Sequence, residues 1–430
     1  MSSTSLKQDE RGARATLRAI GWAAFLGASW TWCIGMFLPV LLVRDYGLWA
    51  WVVFAVPNVV GAAAMAWVLR DGDASLRVLH PNLPAAVGFS FVTIAFHVFF
   101  LVCIVMPIAQ SWFVLPVALL GGLLSWLVSR QVRGGWPAAA AGVLVISLIA
   151  FVMLGLNGAL ALPATQGQLP TLPLLWLLPV SIFGFALCPY LDLTFHRARQ
   201  ATSPASGRLA FGVGFGVFFL LMIVMTLLYA PLVMGRFGMT SPLPANLVVW
   251  LVAIHMAVQS WFTIAAHLRY AGRQLSSVGA ELTTVILTIA IALLLGSIIL
   301  VAREATYRGL GGAELSYRAF MAFYGLVFPA YVWLCMIPAR GSETVPRRAL
   351  MTFGMAVLVA APMFWMGFIE RRTIWLVPGV AVVLLAQLAI RFTGQGVDQA
   401  SPPNAPPPPP KSPPRAEAPE AAKNFLTAIK

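Results

Sequence analysis

Two histidines, two carboxylates and a cluster of small polar residues are the groups in this chain that could do chemistry away from water. His97 closes the stretch TIAFH and His255 closes VAIH, each near the middle of an apolar segment. An imidazole titrates near neutral pH, so the pair reads either as neutral histidines bonded to backbone carbonyls or as a proton-sensitive gate that touches a substrate. Gln259, Ser260 and Thr263 follow His255. On a helix, residues 255 and 259 share one face and 260 and 263 the adjoining one, which predicts a polar stripe turned toward other protein. Asp192, in CPYLDLTFHRAR, and Glu281, in SSVGAEL, are the carboxylates expected within or at the ends of the first ten apolar segments. Asp192 is expected to pair with Arg197 or Arg199, an intramembrane role being the alternative, and Glu281 to meet the positive end of a helix dipole.

These groups need helices to position them, and the composition says what kind. The chain has 430 residues, 60% of them hydrophobic and only 10% charged, with a mean hydropathy of +0.85. No single water-soluble core hides that much apolar surface, so the reading is an all-α polytopic membrane protein. At roughly 20 apolar residues per crossing, twelve spans are expected, at 19–43, 47–69, 84–108, 111–129, 136–156, 172–195, 209–233, 245–268, 278–302, 317–338, 349–369 and 373–392. The first, from Gly21 to Val43, carries Gly27, Ser29, Thr31 and Gly35 at its middle. Weak helix formers at mid-depth suit a broken helix whose freed backbone groups are satisfied by protein or a watery cavity, or else close helix packing. The sixth carries Pro179, Ser181, Gly184 and Pro189, and a second break is expected near 184–189.

The net charge of +14 does not imply nucleic acid, because Lys and Arg sit in short loops between apolar spans. With the N-terminus inside, 21 of the 28 Lys and Arg fall on the inner side, which predicts a multi-pass cell (inner) membrane protein with both termini cytoplasmic. Cys33, Cys103, Cys188 and Cys335 have no paired spacing and argue neither for disulfides nor for a metal cluster. The expected organisation is a cytoplasmic tail at 1–18, a core at 19–338 made of units 19–156 and 172–338, two extra spans at 349–392, and a disordered Pro-rich tail at 393–430. That tail is a plain solvated segment or a docking site for a protein partner. Breaks at corresponding places in two units of opposite topology are the pattern of inverted-repeat transporters, and TIAFH and VAIH fall on the corresponding third and eighth helices.

GASWTWCIGMFLPVLLVRDYGLWAWVVFAVPNVVGAAAMAWVL resembles the first core helix pair of the sodium/solute symporter family. CPYLDLTFHRARQATS resembles the inner half of that family's core helix six, and Ala257 to Ser260 resembles its Ala-x-x-Ser sodium motif. The resemblance implies the leucine-transporter-like fold of the amino acid, polyamine and organocation superfamily: a five-plus-five inverted repeat with helices one and six broken, here with two helices added. It also implies alternating access, with a sodium ion held by Ala28 and Thr31 on helix one and by Ala257 and Ser260 on helix eight. Trp261 stands where the family usually has a second hydroxyl.

The function expected is secondary active transport of a small organic solute, coupled to sodium or protons and not enzymatic, with membrane lipid and the solute as partners. The residues expected to meet the solute are Ser29, Trp30, Trp32, Gly184, Tyr190, His97, His255 and Gln259, with lipid or helix packing as the alternative for the tryptophans. No cofactor is expected beyond the sodium ion. The competing readings are a membrane-embedded transferase using an intramembrane His and a non-transporting sensor of transporter ancestry. A Walker loop is absent from the sequence, so nothing in it supports ATP drive.

Overall fold

The computed structural model describes residues 3–132, 135–236, 247–275, 278–301, 306–338 and 343–394. Apart from one two-strand hairpin these are helices and their joins, and the chain is an all-α polytopic membrane protein. Among the described residues, nine helices are long and apolar enough to cross a bilayer and one further span is a bent pair. Two shorter apolar helices, within Val114–Val128 and Ile286–Gly296, fall in the remaining expected spans.

The bent pair is the first span: α1 (Ser3–Trp30) and α2 (Cys33–Tyr46) meet at 55°. Thr31 turns the chain there, its hydroxyl and its amide both donating to the Gly27 carbonyl at 2.7 and 3.1 Å. A side chain that bonds back one turn competes with the helical ladder and bends it. The next helices are α3 (Trp49–Val68) and a short α4 (Gly72–Leu79), whose N-terminus is capped by Asp71 accepting from the Ala74 amide at 2.7 Å. Then α5 (Leu83–Phe100) runs through a π-helical turn into α6 (Met106–Ala109). Gln110, at φ 52°, makes the tight join to α7 (Val114–Gln131), and α8 (Gly135–Leu156) follows.

The sixth span is α9 (Leu174–Leu187), a 3-10 turn over Cys188–Leu191, and α10 (Leu193–Gln200). Pro189 lies in that turn and Asp192 is the non-helical residue that starts α10. The seventh is α11 (Pro204–Val213), a π-helical turn, and α12 (Leu220–Arg236). After α13 (Leu247–Gly272) and α14 (Val278–Val301), strands β1 (Thr306–Tyr307) and β2 (Leu310–Gly311) form the hairpin. It leads into α15 (Gly312–Tyr331), and α16 (Arg347–Phe368) and α17 (Leu376–Gly394) pack together beyond it.

α1 lies against α8 and α11, α9 against α3 and α15, and α13 against α5, α7 and α8. Several glycine contacts are too close for any side chain, and two examples lie between spans. A Cβ on Gly61 of α3 would stand 2.6 Å from the Phe185 carbonyl oxygen of α9, and one on Gly27 of α1 would stand 2.7 Å from Phe218 Cβ. Small residues let membrane helices approach this way. The outward faces of α7 and α14 expose Leu119, Leu123, Ile286, Leu287 and Ile291, a surface suited to hydrocarbon.

Several boundaries differ from those expected. α1 reaches back to Ser3, so part of the expected tail is helical, and the expected loop after span two contains α4. The first break falls at Thr31 and Trp32, at the edge of its expected window, and the second at Cys188 to Asp192, beyond Gly184, which is helical. Glycine is tolerated within membrane helices, whereas Pro189 removes an amide donor and clashes with the preceding turn. Asp45 and Glu314, expected outside the spans, lie at the end of α2 and the start of α15. The Glu281 side chain and the Pro-rich tail beyond residue 394 lie outside the described residues.

Candidate functional site

A helix broken at mid-depth frees amides and carbonyls that hydrocarbon cannot satisfy. Here side chains take them. The Cys33 amide, the first of α2, donates to His97 Nε2 at 3.3 Å, and the Ser29 carbonyl accepts from Trp32 Nε1. Within the first turn of α2, beyond the freed groups, Tyr317 donates to the Cys33 carbonyl at 3.0 Å and Tyr229 to the Met36 carbonyl at 2.7 Å. His97 Nδ1 lies 2.8 Å from the Thr93 carbonyl, which only accepts, so the network places the ring hydrogen on Nδ1 and leaves Nε2 as acceptor. Both nitrogens of His97 are therefore used.

The second break faces the first. The hydroxyls of Thr194 on α10 and Ser29 on α1 are 3.3 Å apart. Asp192 caps α10: its Oδ1 accepts from the Thr194 amide and hydroxyl, each at 2.7 Å, while Oδ2 is buried and has no hydrogen-bond partner. Asp192 Oδ2 is 4.0 Å from His267 Nε2 of α13, within ion-pair range but too long for a hydrogen bond. His267 Nδ1 is 3.1 Å from Ser90 Oγ, whose own hydrogen goes to the Ala86 carbonyl at 3.0 Å. His267 therefore carries its hydrogen on Nδ1, and its Nε2, also wholly buried and without partner, presents a lone pair to the carboxylate. Two acceptors thus confront each other with no hydrogen between them.

Aromatic rings close the surroundings. The Trp32 ring centre is 5.6 Å from His267, 6.0 Å from His97, 5.5 Å from Phe89 and 5.7 Å from Tyr324. Tyr324 also lines an almost wholly apolar cavity of about 60 Å³ between α2, α3, α9 and α15, with Leu38, Leu42, Gly184 and Phe368. Beyond Leu42, at the end of α2, Arg44 and Asp45 meet Glu314 and Arg318 of α15. Arg44 bonds both oxygens of Glu314 at 2.8 and 2.5 Å, and Arg318 donates to Asp45 and, at 2.8 Å, to Glu314. At the opposite end, His196 and Gln200 of α10 reach Ser75 of α4 at 2.7 and 3.2 Å. Arg199 donates to the Leu69 and Arg70 carbonyls.

The residues singled out in the sequence thus fall into groups. Ser29, Trp30, Trp32 and His97 meet at the first break, and Trp30 Nε1 is further tied to Asn58 Oδ1 at 2.6 Å. Gly184 lines the apolar cavity, and the Tyr190 carbonyl accepts from His196 Nε2 at 2.9 Å. His255 and Gln259 belong to a separate cluster, both bonded to Ser147 of α8 at 2.9 and 3.0 Å, with the Tyr229 ring 6.1 Å from His255. All four residues of the sodium set are buried. The Ala28 carbonyl accepts from the Thr31 amide at 3.3 Å and the Ser260 hydroxyl donates to the Met256 carbonyl at 2.7 Å. Among the described residues, no group of three or more His, Cys, Asp and Glu could hold a metal.

Two groups at the junction are not among the residues expected to meet the solute or the ion. Asp192 does not pair with Arg199 of its own helix, which lies seven residues on, about 10 Å down the axis, and is bonded to carbonyls instead. His267, followed by Leu268 and Arg269, belongs to no motif. It nevertheless completes a spacing that was visible, since residues 255, 259, 263 and 267 recur every fourth position and all are buried.

No family model matches the chain, and no curated protein matches it. Among solved structures it is similar to Mhp1, a nucleobase-cation-symport-1 family transporter in a closed conformation with bromovinylhydantoin bound. The TM-score is 0.50 at 13% identity, over 88% of this chain and 93% of that one, so what the two share is the fold of a multi-span transporter.

Proposed function

We propose that this chain is a secondary transporter that moves a small organic solute by alternating access, driven by an ion gradient. The observation that carries the reading is the pair of facing helix breaks, joined at Ser29 and Thr194, with unpartnered polar atoms beside the junction. A solute with an apolar or aromatic body suits the rings of Trp32, Phe89 and Tyr324 beside the junction. The cavity extends from Tyr324 to Leu42, two residues before Arg44 of the charge ring, and the contacts of α10 with α4 lie at the opposite end of the bundle. By the distribution of Lys and Arg, the α4 end is cytoplasmic. The fold shared with a nucleobase-cation symporter supports the class. Breaks in the first and sixth spans, at corresponding places in units 19–156 and 172–338, support the two-unit organisation.

The native thiols Cys33 and Cys188 stand at the two breaks, both buried. With Cys103 and Cys335 replaced by Ala, the protein in sealed vesicles is treated from each side with a membrane-impermeant thiol reagent. Labelling that switches sides with imposed sodium or proton gradients, together with solute uptake, is the expected result. Thiols inert from both sides under every gradient would sink the transporter reading. Sodium-dependent switching abolished by Ser260→Ala would assign the ion to the Ala28, Thr31, Ala257 and Ser260 set.

A further inference from the structure

We infer that Asp192 Oδ2 and His267 Nε2 together bind the proton that couples this transporter, an inference that rests on the transport reading above. The hydrogen-bond network leaves both atoms as acceptors, 4.0 Å apart and wholly buried. One proton between them turns an acceptor–acceptor contact into a charge-assisted hydrogen bond, and closing the gap to a normal length needs a movement of about 1 Å. One O–H bond forms on Asp192 Oδ2, donating to His267 Nε2, as a hydronium ion gives up its proton, and the net charge of the pair goes from −1 to 0. A charge in hydrocarbon surroundings is costly unless it is paired, so the loaded site is the one that tolerates occlusion.

The position of the pair gives that proton mechanical consequence. Asp192 caps the start of α10, and His267 is fixed to α5 through Ser90. Drawing Asp192 toward His267 pulls the start of α10, whose far turn holds α4 through His196, Gln200 and Ser75. Proton binding therefore bears on the α10–α4 contact, which lies at the cytoplasmic end in the orientation proposed above.

Neighbouring titratable groups do not supply an alternative base. His97 on α5 has both nitrogens bonded, as does His196 on α10, between Ser75 and the Tyr190 carbonyl. Tyr324 on α15 and Cys188 at the break face each other, Cys33 follows Trp32 at the start of α2, and Arg197 engages Tyr270 of α13. Among the described residues, His267 is the basic group within ion-pair distance of Asp192.

The test uses the full chain in lipid vesicles and the proton itself as probe. Infrared difference spectra between acid and alkaline buffer are expected to show a protonated-carboxyl band that Asp192→Asn removes and His267→Gln shifts. In the same vesicles a proton gradient is expected to switch thiol labelling at Cys33 and Cys188 in the parent protein, at least tenfold more than in Asp192→Asn. His267→Gln serves where Asp192→Asn fails to fold. Absence of a carboxyl band assignable to Asp192 overturns the proposal. A band present while labelling follows sodium alone also overturns it and leaves the transporter reading standing. Labelling unmoved by any gradient removes both.

Discussion

At the Arg44 end of the bundle, Asp45 and Glu314 share the guanidinium groups of Arg44 and Arg318, and all four carboxylate oxygens accept at least one N–H. At the second helix break, Asp192 has one oxygen bonded twice to Thr194 and the other bare, facing a histidine nitrogen that is bare as well. Both sites bury carboxylates in apolar surroundings, and they solve the problem oppositely. The ring carries two positive and two negative side chains and joins α2 to α15 as a closed, neutral clasp. The Asp192–His267 pair lacks a counter-charge, and its missing partner has to arrive from solution. A site that must release its partner in every cycle cannot be built from permanently paired residues.

The largest expected effect lies in the ring. Arg318→Ala removes a guanidinium bonded to Asp45, Glu314 and the Phe368 carbonyl, leaving two buried carboxylates with one cation between them. Breaking a buried pair from one side costs about 3–5 kcal/mol, read as a lowered unfolding midpoint in detergent. Arg318→Lys should recover only part, since an ammonium does not reach both carboxylates as a planar fork does. An unfolding midpoint equal to the parent's would mean that water already serves the ring, and the contrast with the Asp192–His267 pair would vanish.

Gly61→Ala tests the frame that holds both sites in place. The added methyl meets the Phe185 carbonyl, and overpacking of this kind costs about 1–3 kcal/mol. Stability should fall while the carboxyl band of Asp192 persists. Loss of the band with unchanged stability would contradict the assignment of that contact as packing.

Two histidines beside one tryptophan sharpen the comparison further. His97→Ala strands the Cys33 amide, a cost of about 1–2 kcal/mol, and is expected to leave the pH dependence of thiol labelling as it was. His267→Ala removes one side-chain bond, from Nδ1 to Ser90, and strands no backbone amide, so it should cost less stability while flattening that pH dependence. The reverse outcome would move the proton to His97.

The frame was legible in the chain because hydrophobic length and weak helix formers are local properties. Gly27, Ser29 and Thr31 marked the first break to within a turn, and Pro189 marked the second better than Gly184 did. The pairing of Asp192 was not legible, because it depends on α13, far along the chain. His267 was hidden by its setting: two residues before Arg269 it reads as the basic end of a helix. The every-fourth spacing from His255 contained the signal and also its limit. Each step of four residues turns the stripe by about 40°, so over three steps it swings from Ser147 of α8 and the Tyr229 ring to Ser90 of α5 and Asp192. His255 and Gln259 therefore belong to a different contact from His267, although one stripe carries all three. The charge ring is not legible in the sequence because residues 45 and 314 lie just outside the apolar runs, whereas the helices run on past those runs to bring Arg44, Asp45, Glu314 and Arg318 together.

The smallest stability effect belongs to Asp192→Asn, and its smallness is what separates the two carboxylate sites. The amide oxygen can keep the bonds from the Thr194 amide and hydroxyl, and the amide nitrogen places a donor where the carboxylate presents a bare acceptor to His267. Nothing buried is left newly unpaired. Stability at neutral pH should therefore stay within about 1 kcal/mol of the parent, against the large loss at Arg318. The difference between variant and parent should tilt toward the variant as pH rises, because deprotonation puts a buried charge into the parent that the amide does not acquire. Unfolding midpoints across a pH series decide the point. A large loss on Asp192→Asn at every pH would mean that the carboxylate is a structural cap like Asp71, and the Asp192 site would then be another closed clasp.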